Sequence, residues 1–307
     1  MRDIPFVDAH VHFWDLARLR YPWLTPPFGN DGPNGSVEAI ATNYGPADYR
    51  AEAVGWNVVG AVHVDAGADP MDALAETEWL EEHSESNGLP SAIVAFANLA
   101  DPNVIDLLGA QAKHPRVRGI RHIINWHPDV RRTYTERDLT RDDAWARGFG
   151  LLARYGLSFD LQCYPAQMPQ VADIARRHPE VPVMVNHLGM PVLSDPDGVE
   201  EWRRGLRALA ALPQVAIKLS GLGFIRRDWD TALAVPFIRE AIDLFGPDRA
   251  MAASDFPTDR LFASFDRAMA ALAQAVEPYT NEERRAIWGG NACRLYRIDP
   301  VILGETV

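Results

Sequence analysis

The chain has 307 residues, of which 47% are hydrophobic and 23% charged, and its formal net charge at pH 7 is −12. This composition is typical of a globular protein with a large core, and the acidic balance without Lys/Arg runs excludes an electrostatic footprint for nucleic acid or an anionic membrane. This charge pattern favours a small-molecule partner. Two cysteines are too few for a disulfide framework, and the first residues lack the apolar core of a signal peptide, so we expect a cytoplasmic protein. No apolar run is long enough to span a membrane.

The first predicted strand lies in the stretch 6–15 and carries two histidines. Apolar residues at 7, 9 and 11 alternate with Asp8, His10 and His12, as side chains do in a strand with a period of two. His10 and His12 therefore share a face and lie roughly 6.5 to 7 Å apart along the strand, close enough to converge on one metal ion or one substrate oxygen. A pair of surface histidines on an edge strand is the alternative interpretation.

The segment 16–43 follows and is rich in proline and glycine, including Pro33, a composition typical of turns. Aromatic residues accompany these turn residues. Trp14, Tyr21, Trp23 and Phe28 either form the wall of a binding pocket or pin the loop to the rim of the fold, and the sequence leaves both interpretations open.

Strand-like and helix-like segments then alternate to the end of the chain. The further predicted strands are residues 58–65, 91–99, 117–124, 157–163, 181–187, 215–220 and 250–255. The predicted helices are residues 47–54, 70–83, 103–113, 142–155, 167–177, 198–211, 231–245, 262–276 and 281–295. The longest break, residues 125–141, predicts a surface excursion near the site.

This alternation, without a low-complexity linker, predicts a single domain over residues 1–307 with the (β/α)8 TIM-barrel fold. A doubly wound open sheet is the competing arrangement. Polar residues gather at the carboxyl ends of most of the predicted strands, which favours the barrel because only a closed ring brings so many ends to one mouth.

If His10 and His12 point inward, the period-two rule selects inward polar residues on the other strands. They are His63, Asp65, Arg121, Gln162, Tyr164, His187, Lys218, Ser220 and Asp255. Within the combined set, His10, His12, His187 and Asp255 offer nitrogen and oxygen donors suited to one Zn²⁺ or a similar divalent ion with an open position for water. Asp255 is then placed as the general base that takes a proton from the attacking water.

Six short motifs occur in order along the chain. They are DAHVHFWD at 8–15, VRGIR at 117–121, NHLGMP at 186–191, IKLSGL at 217–222, ASDFP at 253–257 and NACRLY at 291–296. Together they resemble the amidohydrolase-2 branch of the amidohydrolase superfamily, nearest to the sugar-acid lactonases and the pyrone-dicarboxylate lactonases.

The resemblance implies a TIM barrel and the hydrolysis of lactones. By the family pattern, metal or catalytic positions fall on His10, His12, His187 and Asp255, with His187 and Asp255 as the catalytic residues, while Arg121 would hold a substrate carboxylate or carbonyl group. The bridging lysine or glutamate that many superfamily members carry on strand four is replaced by Arg121. We therefore expect one divalent metal ion rather than two, and since some lactonases of this branch work without metal, a site without an ion stays open.

Four further residues are candidates for substrate binding: Trp14, His63, Tyr164 and Lys218. Each has a structural alternative, because His63 would pair with Asp65 in the core, Tyr164 would pack at the rim, and a buried Lys218 would pair with an aspartate.

The sequence thus predicts an amidohydrolase-type hydrolase that opens a lactone or related cyclic ester of a small acidic metabolite through an activated water. A non-oxidative decarboxylase on the same barrel and a catalytically silent ligand-binding barrel are the alternatives. Whether copies of the chain associate as a homo-oligomer stays open.

Overall fold

Parallel strands form the centre of the fold in a computed structural model that describes residues 1–32 and 34–304. Pro33, in the predicted loop 16–43, and the last three residues of the predicted domain lie outside the described residues. The described strands number eight. They are β1 (Phe6–Val11), β2 (Val58–Val64), β3 (Ala92–Phe96), β4 (Val117–Arg121), β5 (Ser158–Leu161), β6 (Val183–Val185), β7 (Val215–Leu219) and β8 (Ala250–Ala252).

The strands lie in the sheet in chain order, and the first and last meet. Val11 and Phe256 form a parallel bridge, the His12 amide donates to the Phe256 carbonyl oxygen at 2.8 Å, and the Asp255 amide donates to the His10 carbonyl oxygen at 2.9 Å. The ring of strands is thereby closed just beyond β1 and β8. The prediction of a (β/α)8 TIM barrel is confirmed.

Helices surround the sheet and connect its strands. They are α1 (Pro46–Glu52), α2 (Ala73–Asn87), α3 (Val104–Gln111), α4 (Asp143–Leu151), α5 (Met168–Arg177), α6 (Gly198–Ala210), α7 (Leu222–Ile225), α8 (Thr231–Phe245), α9 (Phe265–Val276), α10 (Asn281–Arg285) and α11 (Asn291–Tyr296). The short α7 was not predicted. The predicted helix 281–295 is divided, because a π-helical turn at Ala286–Gly290 separates α10 from α11.

The seven predicted strands after β1 were too long at their carboxyl ends, by one to three residues. β4 ends at Arg121, β6 at Val185 and β8 at Ala252, so His187 and Asp255 follow strands instead of belonging to them. The reason is local backbone geometry, since His187 and Asp255 have positive φ angles of 52° and 61°, which no strand accommodates.

The barrel interior contains a buried ionic group. Lys218 on β7 contacts both Asp160 on β5 and His10 on β1, which are not neighbouring strands, so these contacts cross the interior. Tyr296 of α11 reaches the same group and donates its hydroxyl to Asp160 at 3.0 Å. All four side chains are fully buried, and pairing offsets the cost of burying the charges of Lys218 and Asp160.

Among the helices that the structure describes, none combines the length and the hydrophobicity that a membrane crossing requires.

Candidate active site

Two histidines at the carboxyl end of β1 point their Nε2 atoms at one another. The Nε2 atoms of His10 and His12 are 3.2 Å apart. The Nδ1 atom of His12 lies 2.7 Å from the Val64 carbonyl oxygen, which only accepts hydrogen bonds, so this nitrogen carries the proton and Nε2 of His12 presents its lone pair. A carbonyl that fixes the tautomer in this way is a usual partner of a metal-binding histidine.

His187 and Asp255 complete the cluster from β6 and β8. The Asp255 carboxylate lies 3.3 Å from Nε2 of His12, 3.6 Å from Nε2 of His10 and 3.7 Å from Nδ1 of His187. Nδ1 of His187 is also 3.1 Å from the Ser220 hydroxyl. The left-handed backbone at His187 and Asp255 turns both side chains toward the two histidines of β1, so a few strained residues determine the geometry of the cluster.

The Asp255 carboxylate is fully buried, and neither oxygen has hydrogen-bond geometry with any described residue. Burial raises the pKa of this carboxyl well above its usual range, whereas the charge of Arg121 lowers it. Burial lowers the pKa of His12 to about 3 and holds the pKa values of His10 and His187 well below 6.5. The three imidazoles are therefore neutral near pH 7 and able to offer lone pairs.

These donors fit a divalent cation. One ligand atom from each of His10, His187 and Asp255 lies within 4.8 Å of the others, and His12 adds a fourth donor beside His10. Neutral imidazole nitrogens with one carboxylate oxygen are the donor set of mononuclear Zn²⁺ sites. A cation among them would also satisfy the buried Asp255 oxygens, which otherwise cost free energy.

The guanidinium of Arg121, at the end of β4, donates hydrogen bonds to other residues of the protein. Its Nε donates to the Asp65 carboxylate at 3.2 Å, one terminal nitrogen donates to Gln162 at 3.1 Å, and the other donates to the Asp65 carbonyl oxygen. The side chain is 4% exposed, and its charge is balanced by Asp65. The predicted contact of Arg121 with a substrate carboxylate or carbonyl group stays a prediction.

A cavity of about 480 Å³ opens onto this cluster. Its polar lining includes His12, Arg121, Gln162, His187, Asp255 and Thr258. Its apolar and aromatic wall includes Pro22, Trp23, Pro27, Phe28, Val37, Tyr134 and Phe224. Its volume suits a small molecule, and Asp255 is part of its lining.

The structure places the other predicted substrate-binding residues outside the lining of this cavity. Trp14 is buried against Tyr44 and Trp23, with its indole N–H donating to the Thr42 carbonyl oxygen at 2.6 Å. Lys218 lies deeper in the barrel interior, in contact with Nδ1 of His10 at 3.4 Å. These two contacts hold neighbouring structure in place.

His63 and Tyr164 also lie apart from the cavity. His63 stands behind His12, with ring centres 6.3 Å apart, and its Nδ1 accepts from the Phe13 amide at 3.1 Å. The Tyr164 hydroxyl donates to the Arg132 carbonyl oxygen at 2.5 Å. His63 therefore supports a site residue, whereas Tyr164 is fixed at an adjoining surface.

The sequence patterns did not indicate all of the residues that line the cavity. Phe224 lies on the unpredicted α7, and Tyr134 lies in the excursion 125–141. Neither residue sits in a periodic segment, so alternation offered no way to place it. Of the four aromatic wall candidates, Trp23 and Phe28 line the cavity, whereas Trp14 and Tyr21 do not belong to its described lining.

The protein has a parallel barrel with a polar cluster at the carboxyl ends of its strands. These two features define its class, which is that of TIM-barrel enzymes with the active site at the mouth of the barrel. The sequence matches the amidohydrolase family over residues 7–298, and the chain belongs to that family. The predictions of this family and of an amidohydrolase-type enzyme are confirmed.

The alignments with related proteins cover nearly the whole chain. An uncharacterised protein of Sinorhizobium fredii, y4mH, is 40% identical over 97% of this chain and 100% of that protein. The L-fucono-1,5-lactonase of Burkholderia multivorans is 30% identical over 95% of this chain and 96% of that enzyme. An amidohydrolase structure from Burkholderia multivorans with bound zinc superposes with a TM-score of 0.78 at 30% identity, covering 95% of this chain and 99% of that chain. Two decarboxylase structures match at 16% and 14% identity, a likeness that shows the fold alone.

Proposed function

We propose that the protein is a lactonase that hydrolyses a small cyclic ester, with His10, His12, His187 and Asp255 at its reaction centre. One observation carries the proposal: a buried carboxylate to which no described residue donates a hydrogen bond faces three neutral imidazoles at the end of a cavity of substrate size. The lactonases among the relatives support the reaction type.

His10, His12, His187 and Asp255 would hold one divalent ion, and we propose Zn²⁺. When bound, the ion acts as a Lewis acid that polarises the ester carbonyl and acidifies water. Val64 fixes the tautomer of His12, and the Lys218 ammonium lies 3.4 Å from Nδ1 of His10, against the ring edge that faces away from His12. Both contacts position imidazoles and touch no substrate.

Asp255 moves the proton. Burial raises the pKa of Asp255, and a carboxylate that binds protons more tightly accepts one from water more readily. The water oxygen bonds to the ester carbon while its proton passes to Asp255. The carbon–oxygen bond of the ring then breaks, and Asp255 returns the proton to the leaving oxygen.

Two alternatives are less well supported. Two decarboxylase structures share only the fold with this chain, at 16% and 14% identity, whereas the L-fucono-1,5-lactonase of Burkholderia multivorans is 30% identical over 95% of the chain. A silent binding barrel has no need of a fully buried carboxylate without donors, an arrangement that costs free energy and is typical of functional sites.

A lactone panel with a matched pair of variants tests the function. We expect the wild-type protein to open at least one δ- or γ-lactone, L-fucono-1,5-lactone included, with acid release and without CO2. Asp255→Asn should lower kcat by about 10³-fold or more while the fold is retained, because the general base is lost. Asp173→Asn, which changes an exposed aspartate of α5, is the control and should keep wild-type rates.

An inactive wild type across the panel, or release of CO2 from an aromatic acid, would contradict the proposal. Wild-type rates in Asp255→Asn would contradict the assigned base.

We also propose that residues 1–307 form one domain that acts in the cytoplasm on an acidic lactone. The family match over residues 7–298 supports the single domain. The two buried cysteines, Cys163 and Cys293, form no disulfide with each other, which suits a reducing compartment.

A further inference from the structure

Tyr134 places a hydroxyl group beside the reaction centre. The residue lies in the excursion after β4, and its amide donates to the Asn125 carbonyl oxygen at 2.9 Å. The hydroxyls of Thr133 and Thr135 approach the same carbonyl oxygen at 3.4 and 3.3 Å. This part of the excursion is therefore tied to the end of β4, and its tyrosine ring lines the cavity that contains Asp255.

The Tyr134 hydroxyl oxygen is buried and has no hydrogen-bond partner among the described residues. Three other donors of the same cavity, on Trp23, Thr25 and Arg121, are already engaged. The Trp23 indole N–H and the Thr25 hydroxyl donate to backbone carbonyl oxygens at 2.8 and 2.9 Å, and the Arg121 guanidinium donates to Asp65 and Gln162. An unpaired buried hydroxyl is costly, so its position in a substrate-sized cavity indicates a partner that arrives with the ligand.

The hydroxyl is a donor near neutral pH. Burial raises the pKa of Tyr134 above its usual value, and the charge of nearby Asp255 raises it further, whereas Arg121 and Arg227 lower it. The phenol consequently keeps its proton. The imidazole of His12 cannot donate to the same ligand through Nδ1, because that proton is held by Val64.

We propose that Tyr134 is a catalytic residue whose hydroxyl donates a hydrogen bond to the carbonyl oxygen of the lactone as the ring opens. The inference rests on the proposed lactonase function. When the water oxygen bonds to the carbonyl carbon, the π electrons of the carbonyl move to its oxygen, and the Tyr134 hydroxyl stabilises that negative charge without giving up its proton. When the ring bond breaks, an electron pair of that oxygen re-forms the carbonyl double bond, and the ring oxygen leaves with the bonding electrons and takes the proton from Asp255.

Tyr134→Phe removes this donor and leaves the ring in place. We expect kcat to fall by about 10²-fold with KM changed less than about threefold, because the hydrogen bond strengthens in the transition state. The melting temperature should stay equal or rise, since a buried hydroxyl without a partner is removed. A structural role would lower the melting temperature instead.

Tyr44→Phe is the matched control. The Tyr44 hydroxyl is also buried without a hydrogen-bond partner, and among the described residues that line the cavity Tyr44 is absent. This variant should keep kcat/KM within about twofold of wild type.

The outcomes separate the two proposals. An unchanged kcat, a rise in KM alone, or a melting temperature lowered together with activity in Tyr134→Phe would overturn the role of Tyr134 and leave the lactonase proposal standing. A wild-type protein that opens no lactone would overturn the proposed function and this inference with it.

Discussion

His187 depends on a glycine for its place beside Asp255. Gly221 follows β7 with a φ of +64°, and a Cβ atom built on it would lie 2.6 Å from Cβ of His187 and 2.8 Å from its Nδ1. Such distances are well inside van der Waals contact. Because glycine has no Cβ atom, it permits both the left-handed backbone at this position and the close approach of the His187 imidazole.

Gly221→Ala should therefore move His187 and weaken the reaction centre. We expect kcat/KM to fall by more than about tenfold, because ångström-scale misplacement of a catalytic group costs one to two orders of magnitude in rate. Steady-state kinetics with a lactone that the wild-type protein hydrolyses measures the effect.

Gly156→Ala is the control, because Gly156 has a similar φ of +60° and a Cβ atom added to it would meet no other atom within 4 Å. It shares the backbone strain and should keep wild-type kinetics. Equal losses in the two variants would mean that strain, and not the approach to His187, causes the effect.

Residue-level prediction from the sequence succeeded where the backbone is regular. Alternation placed His10 and His12 on one face of β1, and the structure brings their Nε2 atoms together. The same rule selected Lys218, but alternation indicates a face and gives no depth along the barrel, and Lys218 lies below the cavity against Asp160. Tyr134 lies outside any periodic segment, so only the folded chain reveals its position.

At the scale of elements, α2 supports the end of β2 through a buried acid. Glu76 of α2 is 1% exposed and accepts from the Tyr21 hydroxyl at 3.1 Å. Its pKa is raised from 4.5 to about 8, mainly by burial and also by the charge of Asp65, against the lowering effects of Tyr21, the Ala66 amide and Arg121. The folded protein thus keeps a proton that the unfolded chain releases above pH 4.5.

This shift sets the sign of a pH effect on stability. The contribution of Glu76 is fully present below pH 4.5 and is lost as the pH rises toward about 8. As the pH rises, ionisation of Glu76 should lower the free energy of unfolding by on the order of 3 kcal/mol, and Glu76→Gln should abolish this decrease. Thermal or urea unfolding at pH 5, 6.5 and 8.5 compares the wild type with the variant.

Glu82→Gln on the same helix is the control. Its exposed carboxylate pairs with Arg18, which lowers the pKa of Glu82, so its contribution changes below the tested range. It should follow the wild-type profile between pH 5 and pH 8.5. A Glu76→Gln variant with the wild-type profile would refute the assignment.

The sequence predicted the elements themselves well, because strands buried on both faces and amphipathic helices have strong patterns. Their carboxyl ends were placed less well. His187 and Asp255 appeared to continue β6 and β8, whereas positive φ angles turn them out of the strands. Such angles in non-glycine residues are maintained by surrounding contacts, which a local pattern does not contain.

At the scale of the whole molecule, barrel closure assembles the reaction centre. His10 lies near the end of the first strand, His12 follows that strand and Asp255 follows the last one. Hydrogen bonds between these two segments bring the groups together. A cation held there links the two ends of the sheet. Binding that occurs only in the folded state stabilises that state, so metal content, stability and activity should change together.

Elemental analysis of the purified protein, with lactone hydrolysis measured on the same sample, tests the central claim most directly. We predict about one equivalent of divalent metal per chain, loss of lactone opening when a chelator removes it, and recovery when Zn²⁺ is returned. A preparation that opens the lactone at full rate with no bound metal would contradict the assignment of His10, His12, His187 and Asp255 as its ligands.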